Sequence, residues 1–119
     1  MKVEVSNGEL VDKYTILLIK DKKIIDPEKN KNIKNELNEL FPLIHSLNLN
    51  QDLINELFEV NKTLWKIEDD IRAKEHKQEF DAEFIDLARS VYKTNTIRFK
   101  CKQKINESTG SFLKEEKSH

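Results

Sequence analysis

At 119 residues and 14.1 kDa the chain suits one domain with a modest core. Its 21 basic and 22 acidic side chains leave a formal charge of -1, so no net field draws it to nucleic acid or an anionic membrane. A single cysteine, Cys101, excludes an internal disulfide and a zinc site built on paired cysteines, and two Gly and two Pro are too few for a sheet with many hairpins.

In chain order, residues 1–6 predict an extended arm. Ser6 with Glu9 three residues later has the spacing of a capping box, which starts a first helix over Asn7 to Ile24. Leu10, Tyr14, Leu17, Leu18 and Ile24 mark its apolar side. Val11, Ile16 and Ile19 widen that arc, which predicts the most enclosed helix of the fold. Ile16 to Ile19 is also the longest apolar run, far short of the roughly 20 residues that a membrane span needs. The opening residues lack the basic and apolar regions of a signal peptide, so the expectation is a cytoplasmic protein that binds no membrane and no nucleic acid.

Asp26-Pro27 predicts the second start, a cap followed by a proline that needs no N–H partner. Ile33, Leu37, Leu40, Phe41 and Ile44 give this helix its apolar face, and Pro42 predicts a kink or an early end near Phe41. A third helix, from about Asn50 to Lys77, places Leu53, Leu57, Val60, Leu64, Ile67 and Ile71 in alternating fours and threes, a heptad seam. A fourth, capped by Asp81 and stopped before Gly110, carries Phe84, Leu87, Val91, Thr94, Arg98, Cys101 and Ile105, with Phe80 stapled onto Ile85. An antiparallel turn near Gln78 pairs Leu53 with Ile105, Leu57 with Cys101, Leu64 with Thr94 and Ile71 with Leu87, all in one register. The predicted fold is all-α: a four-helix antiparallel bundle whose last two helices form a long coiled-coil-like hairpin. Residues 1–119 form a single domain, Phe112 and Leu113 dock on the bundle, and 114–119 form a frayed tail.

Two constellations could carry chemistry. Thr94 and Arg98 occupy seam positions where apolar residues belong, and Asn61, Trp65 and Asn95 lie within a turn of them. A buried guanidinium needs a partner. One reading is a ligand pocket with Arg98 as clamp and Trp65 as wall. The plainer one has Arg98 reach solvent or pair with Glu56 or Glu59. The second constellation is Glu56-x-x-Glu59 with Glu83-x-x-Asp86, two carboxylate pairs that could hold Mg²⁺ over a nucleotide phosphate. This arrangement resembles the motif of the all-helical nucleotide pyrophosphohydrolases. With 22 acidic residues such spacing also arises by chance, and these four flank the seam, so solvated surface charge is the plainer reading. Glu68, Asp69 and Asp70 predict an interhelix ion-pair network with Arg72 and Arg89. His45, His76 and His119 have no helical ligand spacing among them. On the seam, Cys101 reads as a small core residue, with no visible base to activate it. No cofactor is expected, with Mg²⁺ entering only under the hydrolase reading.

Several stretches carry a resemblance: Glu9-Leu10-Val11-Asp12-Lys13 with Thr15-Ile16-Leu17 and Ile19-Lys20, then Leu64-Trp65-x-Ile67-Glu68-Asp69-x-Ile71-Arg72, and Ala88-Arg89-Ser90-Val91-Tyr92. Over nearly its whole length the chain resembles an uncharacterised family of small helical proteins of bacteria and phages. The resemblance implies one intact domain, a place beside cell-surface glycan biosynthesis, and no established activity. The leading functional reading is a non-enzymatic binding or assembly module. It pairs as a homodimer, with Ile54, Phe58 and Trp65 left outside the main seam and Trp65 or Phe58 as anchor; another protein is a further candidate partner. The alternative is a small helical enzyme acting on an anionic metabolite, either through the carboxylate pairs or through a chorismate-mutase-like pocket in which Arg and Lys clamp carboxylates.

Overall fold

A computed structural model describes residues 5–110. The start of the expected arm, the docking of Phe112 and Leu113, and the frayed tail lie outside the described residues. Four helices follow one another: α1 (Asn7–Lys23), α2 (Pro27–Ser46), α3 (Gln51–Lys77) and α4 (Ala82–Thr109), with no strand among the described residues.

Each helix begins where the capping chemistry predicts. The Ser6 hydroxyl accepts from the Glu9 N–H at 3.1 Å, and Asp26 Oδ1 accepts from Glu28 and Lys29 ahead of Pro27. Asn50 caps α3 through the Asp52 N–H, and Asp81 caps α4 through the Phe84 N–H at 3.0 Å. These oxygens satisfy donors that the first helical turn leaves orphaned. Gly110 ends α4 at φ 63°, a left-handed stop that costs a glycine little. Two expectations need correction. α2 does not end near Phe41; it runs through Pro42 to Ser46 and buries Ile44 in the core. That burial offsets the one backbone bond Pro42 cannot make. Phe80 meets Phe84 edge-on, with ring centroids 5.2 Å apart, while Ile85 stays exposed.

The α3–α4 hairpin has the predicted antiparallel sense and register. Glu56 meets Cys101 and Lys104 at one end, and Asp70 and Lys74 share a groove with Leu87 at the other. All thirteen seam residues named above are buried or half-buried. The turn closes on Gln78 at φ 56°, with the Glu79 N–H reaching back to the Lys74 carbonyl. Lys74 then clamps it, its Nζ lying 3.1, 3.0 and 3.2 Å from carboxylate oxygens of Glu79, Asp81 and Glu83. Asp81, then Glu79, raise the Lys74 pKa above the ordinary lysine value. Lys74, helped by the Phe84 N–H, holds Asp81 below the ordinary aspartate value.

α1 is the hub, and as expected the most enclosed helix: it packs on α2, α3 and α4, whereas among the described residues α2 packs chiefly along α1. Its most buried line is not the expected apolar side. Gly8, Asp12, Thr15 and Ile19 point inward beside Val11 and Leu17, while Leu10, Tyr14 and Leu18 are half-buried. Val11, Ile44, Leu57, Cys101 and Ile105 form the core where α1 crosses the hairpin.

Candidate functional site

Where α1 crosses the hairpin, its polar inward line meets the polar layer of the seam. Asp12 is 3% exposed. Its Oδ1 accepts from Arg98 Nε at 2.9 Å and from Asn61 Nδ2 at 2.9 Å, and its Oδ2 accepts from Arg98 Nη2. The Asn61 amide also donates to the buried Thr15 hydroxyl at 2.9 Å, which donates in turn to the Asp12 carbonyl. Two adjacent guanidinium N–H groups on one carboxylate form a bidentate, charge-assisted pair, and the amide and hydroxyl fill positions around it. The arrangement fixes the angle at which α1 crosses, because a one-turn slip would leave a buried carboxylate unpaired.

The sequence therefore located half of this cluster. Arg98 and Asn61 meet on Asp12, and Thr94 is buried on the α4 seam. Asn95 is exposed, and Trp65 walls a separate groove with Thr63 and Lys66. The expected Arg98 partners are corrected. Arg98 bonds Asp12, 86 residues away, while Glu56 takes Lys104 at 3.0 Å and the Cys101 thiol at 3.3 Å. Asp12 and Thr15 were missed as site residues. The signal was present, since Gly8, Asp12, Thr15 and Ile19 follow the same fours and threes as the α3 seam. A search for apolar residues alone passes over a stripe that is three-quarters glycine, acid and hydroxyl.

The carboxylate pairs stay apart. Glu56 lies opposite Lys104 near the start of α3, and Glu83 lies opposite Lys74 at the hairpin turn. The eighteen residues between 56 and 74 along α3 correspond to roughly 27 Å. The acidic run is also corrected: Arg72 pairs with Asp69 at 2.6 Å and Lys66 with Asp70 at 3.3 Å, both within α3. Arg89 faces a groove on the outer side of α4 with Phe84, Ile85 and Tyr92.

Lys104, with help from the Cys101 thiol, holds Glu56 below its ordinary pKa. Burial, reinforced by the Glu56 carboxylate, pushes the Cys101 thiol up to about 11. Thiolate is the reactive form, so in native chain at pH 8 Cys101 is expected to label with iodoacetamide about 100-fold more slowly than in urea-unfolded chain. Equal rates would show that the Cys101 region opens freely.

No curated protein and no solved structure matches the chain. One family model covers residues 1–119. The chain belongs to that family, described as a family of unknown function (DUF6165).

Proposed function

We propose that this chain is a cytoplasmic, non-enzymatic binding and assembly module that pairs with a second copy of itself through the outer face of the hairpin tip. The supporting observation is apolar surface on that tip. Phe80, Ile85 and Tyr92 are 57, 56 and 64% exposed. Ile85, Ala88 and Tyr92 recur at three- and four-residue spacing, forming a second row beside the buried seam. Aromatic and large aliphatic side chains carry about 150–250 Å² each, so three of them leave roughly 300 Å² of apolar area per copy. A two-fold axis doubles that centre, and flanking helical surface extends it toward the roughly 1,200 Å² of a lasting interface. Ile54, Phe58 and Trp65 support pairing less well, because Ile54 leans on the core and Lys22 covers the Phe58 ring.

The enzymatic alternative has weaker support: Arg98 is bonded to Asp12, and the carboxylate pairs lie at opposite ends of the hairpin. A role beside glycan biosynthesis rests on the resemblance alone.

Sedimentation at micromolar concentration tests the pairing. The unaltered chain is expected at twice the mass of one chain. The double variant Ile85→Glu/Tyr92→Glu is expected at the single-chain mass with an unchanged helical circular-dichroism spectrum. A single-chain mass for the unaltered protein would end this reading.

A further inference from the structure

An open cleft of about 460 Å³ lies between α1, the last turns of α2 and the first turns of α3. It is separate from the hairpin tip and from the Asp12–Arg98 cluster. Sites for small molecules fall in the range of roughly 300–1,000 Å³ and combine apolar walls with a few placed polar groups. This cleft has that composition. Tyr14, Phe41 and Phe58 supply three aromatic walls over the buried Ile44. Phe41 is 55% exposed although it lies on the helix's apolar face, so much of its ring is left open to the cleft.

The charge of the lining is one-sided. None of the twelve described side chains around the cleft is acidic, in a chain where 22 of 119 residues are. Two of them, Lys22 and His45, can carry positive charge, and each lies against a ring. Lys22 Nζ is 5.4 Å from the centre of Phe58, and His45 stacks on Phe41 with centroids 6.0 Å apart. Lys22 is paired with no carboxylate among the described residues, unlike Lys74, Lys102 and Lys104. A lysine resting on a ring, with no acid among the described residues of its cleft, is available to an incoming anion at little cost. On the rim, Gln51 Nε2 donates to Asn55 Oδ1 at 3.0 Å. The amide pair thus keeps the Gln51 oxygen as an acceptor and the Asn55 nitrogen as a donor for the edge of a flat ligand.

We propose that this cleft binds a planar-ring ligand that carries one anionic group. The ring lies against Phe41 and Phe58, the anion takes the Lys22 ammonium, and Gln51 with Asn55 meets the polar edge. Nucleoside monophosphates and aromatic carboxylates share this chemistry. The inference is independent of self-pairing, so the Ile85→Glu/Tyr92→Glu chain is expected to bind equally well.

Isothermal titration of the full chain with uridine monophosphate, adenosine monophosphate, indole-3-carboxylate and uncharged uridine tests it. At least one anionic class is expected to bind, and whichever class does identifies the source. Lys22 is on the surface, so Lys22→Gln is expected to fold normally and to weaken the anionic ligand about tenfold while leaving uridine unchanged. Phe58→Leu is expected to weaken all ring ligands together. Absence of binding by every anionic ring compound, or binding that Lys22→Gln leaves intact, would overturn the proposal.

Discussion

Replacing Asp12 by alanine is expected to destabilise the fold by about 3–5 kcal/mol, a large share of the roughly 5–15 kcal/mol available to a domain of this size. The carboxylate is almost fully buried and accepts hydrogen bonds from both Arg98 and Asn61. Its removal leaves a guanidinium in a cleft between three helices and a buried amide short of an acceptor. The Arg98 side chain is 25% exposed, so partial escape to water favours the lower end of the range. Urea unfolding followed through Trp65 fluorescence measures the loss. The double variant Asp12→Leu/Arg98→Met is expected to recover most of it, because the penalty belongs to a guanidinium that has lost its buried carboxylate rather than to an absent ion pair. A loss below about 1 kcal/mol for Asp12→Ala would show that the cluster does not hold α1 in place.

Gly8→Ala is expected to lower stability by about 1–3 kcal/mol, opposite in sign to the ordinary effect of this substitution in a helix. On an open helical surface alanine is favoured over glycine by about 1 kcal/mol. At Gly8 a Cβ would stand 2.6 Å from the Lys102 carbonyl oxygen and 3.0 Å from Asn106 Oδ1. The first obstacle is helix backbone, which cannot turn aside, so α1 has to move away from α4. That movement stretches the 2.7 Å bond from the Gly8 N–H to Asn106 Oδ1, and Asn106 is only 1% exposed. Thermal unfolding of the two proteins decides the sign. A higher melting temperature for Gly8→Ala would mean that α1 and α4 are not in close contact there.

Both predictions concern the face of α1 that its own sequence described least well. The starts of all four helices and the stop of α4 were legible because the signals act within about four residues: Ser6, Asp26-Pro27, Asn50 and Asp81 each satisfy a donor in the next turn, and Gly110 takes the left-handed stop cheaply. The hairpin was legible too, since a short turn leaves two seams few ways to meet, and only one register matches Leu57 with Cys101 and Ile71 with Leu87. The crossing of α1 over that hairpin was not. It depends on Gly8 meeting Asn106 and Asp12 meeting Arg98, contacts 98 and 86 residues apart, between groups that composition assigns to caps and to solvent. A charge is read as surface until a partner is known, and the partner is known only once three helices are placed. The same holds for Pro42, whose missing bond marks a helix end until Ile44 is seen buried beyond it. The sequence by itself determined where helices begin and how two of them pair, because local hydrogen bonds and periodicity set those features. The tertiary structure alone decided which polar groups are interior, because that depends on which distant group removes each from water.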